Sequence, residues 1–244
     1  LYLFCQEPFA VLEYIKNAEN VVISDAEGYR YTFLNRGMDL LPGDTISTDE
    51  AGVEFQIEPE GTIIKIGAFT SFKIDALAGR YGSELSDFTL LEGKVRLVTP
   101  EDSDIQYRIK TENARYTCTD ADFVLYSEDA ERESAAILDG TMRLAKPAWK
   151  EPVLLERSEK VDLLEGPFVA EPLNDDFKKE NHDELTFTKL DPLLLRKPPE
   201  AEIAETTEKE VEKKIVEDEE EKKEEEEEPE EVPSEEEVPA PETA

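Results

Sequence analysis

Val53-Glu54-Phe55-Gln56-Ile57, then Glu58-Pro59-Glu60-Gly61, then Thr62-Ile63-Ile64-Lys65-Ile66 decides the fold class. Apolar and polar residues alternate with a period of two, a Pro/Gly turn reverses the chain, and a second β-branched run returns it. A helix needs apolar residues at three- and four-residue spacing, so this stretch reads as two strands and a turn. The alternation predicts that Glu54 and Gln56 lie on a wet face.

The same pattern extends in both directions. Upstream, Val21-Val22-Ile23 and Tyr29-Arg30-Tyr31-Thr32-Phe33 flank Asp25-Ala26-Glu27-Gly28 as a hairpin, and Pro42-Gly43-Asp44 turns the chain into Thr45–Thr48. Downstream, Phe69, Phe72 and Ile74 mark a strand. Phe88–Leu91 and Val95–Val98 flank Glu92-Gly93-Lys94 as a tight hairpin. Ile105–Ile109, Tyr116–Cys118 and Phe123–Tyr126 follow, and Ala135–Leu138 meets Met142 and Leu144 across Asp139-Gly140. Shorter β segments run over Val153–Leu155 and Val161–Leu164. Turn signals recur about every ten residues, which predicts an all-β chain: a single domain of short antiparallel strands stacked as a sandwich- or solenoid-like sheet. No βαβ unit is present, so Rossmann and P-loop nucleotide sites are excluded.

Past residue 170 the pattern changes. Asn174-Asp175-Asp176 reads as the cap of a helix reaching about Leu185, and Leu190-Asp191-Pro192-Leu193-Leu194-Leu195 as an extended strap. Pro198-Pro199 is a boundary, beyond which Glu and Pro dominate. The domain reading is therefore an N-terminal segment over 1–10, a β domain over 11–170, a helix or strap over 171–197 and a disordered acidic tail over 198–244.

Charge sharpens that division. The 244 residues hold 61 acidic and 27 basic side chains, a net of −34. Residues 200–244 hold 22 acidic and 5 basic, so half the net charge lies in the tail. Without a basic footprint to displace counterions, nucleic acid is excluded as a partner. No apolar run approaches the roughly 18 residues of a membrane span. The sequence begins at Leu1, and Leu1-Tyr2-Leu3-Phe4 fits the apolar end of a secretory signal. Cys5 follows it, although Phe4 is bulky where a cleavage site wants a small residue.

An ordered series of motifs resembles the FecR domain family. Gly43-Asp44-Thr45-Ile46-Ser47-Thr48 is similar to its opening turn, and Ile64–Gly67 with Thr70 and Ile74 to its next segment. Leu90–Arg96 resembles its "L-x-x-G-x-v-r" piece, Ile109–Ala114 its "V-x-T-P-x-A" strand, and Ala136–Met142 its close; the motif core spans 40–145. Glu112 stands where Pro is usual, and Cys118–Phe123 where an "R-G-T-x-F" motif is usual, with only Phe123 keeping its place. The resemblance implies a non-catalytic module of the bacterial envelope, secreted to the periplasm or outside, that binds a protein or a cell-wall polymer. It implies, as the alternative, a periplasmic sensor domain of a sigma/anti-sigma system. The namesakes join a cytoplasmic anti-sigma segment and one membrane helix to an outer domain that senses a transporter.

Candidate chemistry is sparse. Asp120-x-Asp122 and Asp102 with Asp104 offer oxygen ligands for calcium, but neither supplies the Gly and closing Glu of a calcium loop. Cys118 with His182 lacks a group to orient the base, and no carboxylate pair is marked out among 61. No catalytic residue, metal or cofactor is assigned. The candidate binding residues are Tyr29, Tyr31, Tyr107 and Tyr116: aromatics spaced along strands offer a platform for sugar rings or a partner strand, or else form one face of the core.

Overall fold

The computed structural model describes residues 9–128, 132–163, 170–173, 177 and 185–196. The alternating run becomes β5 (Gly52–Glu58) and its return β6 (Ile63–Ile66). Before them come β1 (Phe9–Lys16), β2 (Val21–Ser24), β3 (Asp39–Leu40) and β4 (Thr45–Thr48). After them run β7 (Ser71–Ala76), β8 (Leu85–Val98), β9 (Gln106–Lys110), β10 (Arg115–Cys118) and β11 (Ala121–Ser127). The series ends with β12 (Glu133–Gly140), β13 (Met142–Ala145), β14 (Val153–Leu155), β15 (Glu159–Asp162) and β16 (Glu171–Pro172).

Hydrogen bonding links all sixteen strands, yet they form two layers. One layer has the order β3-β1-β5-β6-β8-β11-β12-β15-β16. The other is β2-β4-β7-β8-β9-β10-β13-β14. Every named pairing is antiparallel except β8 with β9. The fold is all-β, as the turn spacing predicted, and of its two architectures the layers match the sandwich. Phe55 of the first layer meets Phe72 of the second with ring centroids 6.2 Å apart, and Phe72 stacks on Phe88 at 5.4 Å. These rings, with Leu12, Ile46, Ile64, Leu97, Phe123 and Leu144, belong to one buried core. Removing each such side chain from water is worth about 1.5–3 kcal/mol.

Two expected hairpins are instead crossings between layers. Glu92-Gly93-Lys94 does not reverse the chain: β8 runs through it, its first half paired with β7 and β9 and its second with β6 and β11. Gly93 has φ +98, and a Cβ there would collide with Thr70 and the carbonyl oxygen of Phe69. Only glycine permits both that backbone and that approach. Gly140, at φ +79, does the same between β12 and β13, which belong to different layers; a Cβ would strike the carbonyl of Asp120.

The expected strand over Tyr29–Phe33 shortens to one bridge, Ser24 with Arg30, plus a hydrogen bond from the Tyr31 N–H to the Ile23 carbonyl (2.9 Å). The expected wet face of β5 is also covered, since Glu54 is fully buried. Leu185–Arg196 crosses this side of the first layer, with Leu185 buried and a 3-10 turn at Pro192–Leu194. Of the helix expected from Asn174, only Phe177 and Leu185 fall among the described residues; the tail over 198–244, Cys5 and His182 lie outside them.

Candidate functional site

The motif residues are taken up by the fold. The Gly43 position would place a Cβ 2.5 Å from that of Ala26. The Asp44 carboxylate accepts the Leu41 N–H at 2.9 Å and the Tyr31 hydroxyl at 3.2 Å. Burial raises its pKa despite those donors, and raises that of Tyr31 as well. The Thr48 hydroxyl donates to the Gly67 carbonyl (2.7 Å) and accepts from the Thr70 N–H (3.0 Å), tying β4 to the turn before β7. Thr111 Oγ1 accepts the Ala114 N–H at 3.0 Å and donates to Glu133 at 2.7 Å. Each is a tie within or between layers, which explains the residue types without any reaction.

The four candidate tyrosines do not form one exposed row. Tyr29 is 74% exposed, held by a loop in which Asp25 Oδ1 accepts the N–H groups of Glu27 (3.1 Å) and Tyr29 (2.8 Å). Phe33, 78% exposed, shares that loop, and Tyr31 packs partly against the core. Tyr107 and Tyr116 are buried instead, because they share the inward side of their strands with Ile109 and Cys118. Their hydroxyls cross to the other layer. Tyr107 donates to Glu60 at 3.2 Å and accepts from Thr62 at 2.6 Å, while Tyr116 donates to the buried Glu133 on β12. Burial, then the neighbouring carboxylate, raises both phenols well above their usual range.

The outer side of the first layer is closed. Register aligns Glu54, Lys65 and Arg96 on adjacent strands. Lys65 donates to Glu54 at 2.7 Å, and the N–H groups of Thr188, Lys189 and Leu190 donate to the same carboxylate at 2.6, 2.9 and 3.3 Å. Burial alone would raise the Glu54 pKa, but these donors hold it below the usual value. Arg96 grips Asp122 with two hydrogen bonds (2.9 and 2.7 Å) and lies 5.5 Å over the Phe187 ring. Arg196 lies between Asp120 and Asp139 and reaches the Thr99 carbonyl. Both aspartates of Asp120-x-Asp122, weighed and set aside as calcium ligands, are thus paired with an arginine. Burial pushes the Cys118 thiol up to about 12, away from nucleophilic use.

The outer side of the second layer is open. Asp87 pairs with Arg108 (2.5 Å) and Lys110 (3.0 Å), which hold its carboxyl below the usual range against burial. Beyond this cluster lie Arg115 and Arg143, both exposed, and Lys146, 5.8 Å from the Trp149 ring. A groove of about 300 Å³ runs between Lys110, Arg115 and Lys146, with Ala145 and Pro147 as apolar lining and Glu112 as its acid. Sequence reading missed these cations because a net of −34 hides a local excess. The signal was the outward phase of Tyr107-Arg108-Ile109-Lys110, repeated at Arg115 and Arg143.

A two-layer β module whose buried acids are all partnered and whose open face is cationic is the class that this geometry defines. Residues 44–143 match the model of the family described as FecR protein, so the chain carries a FecR domain there. Two crystal structures of a "putative anti-sigma factor" from Parabacteroides distasonis ATCC 8503 are similar at 16% and 17% identity, with TM-scores of 0.47 and 0.46. The matches cover 56% of this chain and 62% of those chains, so this chain spans less than two thirds of their length. No curated protein matches. Among the described residues no helix is long and apolar enough to cross a membrane.

Proposed function

We propose that this chain is a non-catalytic, FecR-type module of the bacterial envelope, placed in the periplasm or outside the cell, that works by contact with a protein or cell-wall polymer. The observation that carries this reading is the FecR domain over residues 44–143, whose motif residues are all engaged in the fold. Specificity then falls to the surface. The Asp25–Phe33 loop suits contact because Tyr29 and Phe33 are large, rigid and exposed, the composition of binding hot spots. The test uses the immobilised full chain and its Y29A/F33A variant, each incubated with envelope extract and with purified peptidoglycan. The wild type retains an envelope protein or glycan that the variant loses; retention of neither by the wild type overturns the reading.

The FecR domain equally favours a regulatory reading, in which the module senses a partner for a sigma/anti-sigma system. Gene deletion followed by transcript profiling separates the two. A sigma-dependent set of transcripts shifts if the role is regulatory, and none shifts if the contact is structural.

A further inference from the structure

On the open face of the second layer Arg108 and Lys110 pair with Asp87, but Arg115, Arg143 and Lys146 beside them join no ion pair among the described residues. Among the described residues some surface cations pair with an acid, as Arg36, Lys73, Arg108, Lys110, Arg132 and Lys160 do, and others, such as Lys16, Arg30, Lys150 and Lys189, do not. Three of the unpaired ones lie together. Arg115 and Arg143 make no ion pair among the described residues, and Lys146 meets only the Trp149 ring. Register gathers them. Arg115 stands opposite Ala145 and Thr117 opposite Arg143, so the two arginines are diagonal neighbours on one face, with Lys146 directly after Ala145.

We propose that this face, Arg143 together with the groove beside Arg115 and Lys146, docks an acidic, extended polypeptide segment whose carboxylates alternate with apolar residues. Two features favour such a segment. Diagonal neighbours in an antiparallel pair lie about 7–8 Å apart. Side chains on one face of an extended chain repeat at about 6.6–6.8 Å. Carboxylates at positions i and i+2 therefore match Arg115 and Arg143, and each guanidinium offers the planar fork that a carboxylate fills with two hydrogen bonds. The groove beside Arg115 mixes Lys110 and Lys146 with Ala145, Pro147 and a single acid, Glu112, which suits a segment carrying apolar residues between its acids. A dense polyphosphate has no apolar groups to meet that lining. This surface is separate in sequence and strand from the Tyr29–Phe33 loop, so its test stands independently of that contact.

The experiment is fluorescence anisotropy with a labelled decapeptide alternating Glu and Val, titrated with the full chain at low and physiological salt. A peptide of the same composition with acids in adjacent pairs, a Lys-Val peptide and inorganic polyphosphate form the other arms. Alternating Glu-Val binds, weakens with salt, and loses at least about tenfold in affinity with R115E/R143E. The milder R115Q/R143Q loses part of it, and K16E, on another strand, leaves it unchanged. Circular dichroism and Tm establish that each variant is folded. Absence of Glu-Val binding, equal binding of the paired-acid peptide, tighter binding of polyphosphate, or binding unchanged in both arginine variants overturns the proposal.

Discussion

Single carboxylates in this molecule behave according to their donors. Glu54 is fully buried yet takes one ammonium and three backbone N–H groups, which keep it charged. Glu60, at the turn joining β5 and β6, accepts the Tyr107 hydroxyl at 3.2 Å and joins no ion pair among the described residues. Burial, reinforced by the Glu58 charge, pushes it up to about 7. An acid whose folded pKa lies above its unfolded value of 4.5 binds more protons in the native state. Its contribution to stability is therefore present at low pH and falls as pH rises from about 4.5 to 7. At pH 8 the ionised carboxylate costs on the order of 1–3 kcal/mol. Glu60→Gln keeps an acceptor for Tyr107 and removes the charge. Its Tm is expected to exceed that of the wild type by several degrees at pH 8 and to match it near pH 4.5, read by thermal melts across that range. A variant less stable than the wild type at pH 8 rules out this account.

At the scale of elements, the segment Leu185–Arg196 acts as a strap with two anchors: Glu54 receives its backbone, and Arg196 fills the gap between Asp120 and Asp139. Arg196→Met keeps the buried stem but leaves two carboxylates facing each other, a change worth about 1–3 kcal/mol after allowing for their partial exposure. Hydrogen exchange should show the amides of Thr188–Leu190 losing protection while that of Phe55, inside β5, keeps most of it. Equal loss at both sites means the strap does not open separately. This element also marks what the sequence made legible. The strands around Val53 and Ile64 follow from a period of two, which is local. The cover over Glu54 comes from 134 residues away, so its burial carried no local signal. Glu92-Gly93-Lys94 has the composition of a hairpin turn, and the same positive φ serves a crossing between layers; only the pairing partners distinguish the two. Tyr107 and Tyr116 follow the core alternative of the sequence reading, since each shares its strand's phase with apolar residues. The cations Arg115 and Arg143 lie on different strands and become neighbours only through register.

For the whole molecule, the two layers enclose one core, so the deepest groups report on its cooperative opening. Cys118 is such a group, at the end of β10, free of any disulfide and 6% exposed. Its thiol, pushed up to about 12 chiefly by burial and further by Asp120, is almost wholly protonated at pH 8 despite the nearby Arg196. A disulfide reagent attacks the thiolate, so labelling requires an opening that both exposes Cys118 and returns its ordinary acidity. With Cys5 replaced by Ser, a single thiol remains. Native labelling at pH 8 is expected to be at least about a thousandfold slower than in denaturant, and its logarithm to rise linearly with urea at the slope of the unfolding transition. Charge enters at this scale. Residues 1–199 alone carry 39 acidic and 22 basic side chains, a self-repulsion that is present in the folded body and relaxes as it expands. Raising sodium chloride from low to physiological strength screens that repulsion and should slow labelling several-fold, in step with a higher Tm. Labelling that is rapid in native buffer, or indifferent to urea, would mean that β10 opens on its own and that the two layers do not unfold together.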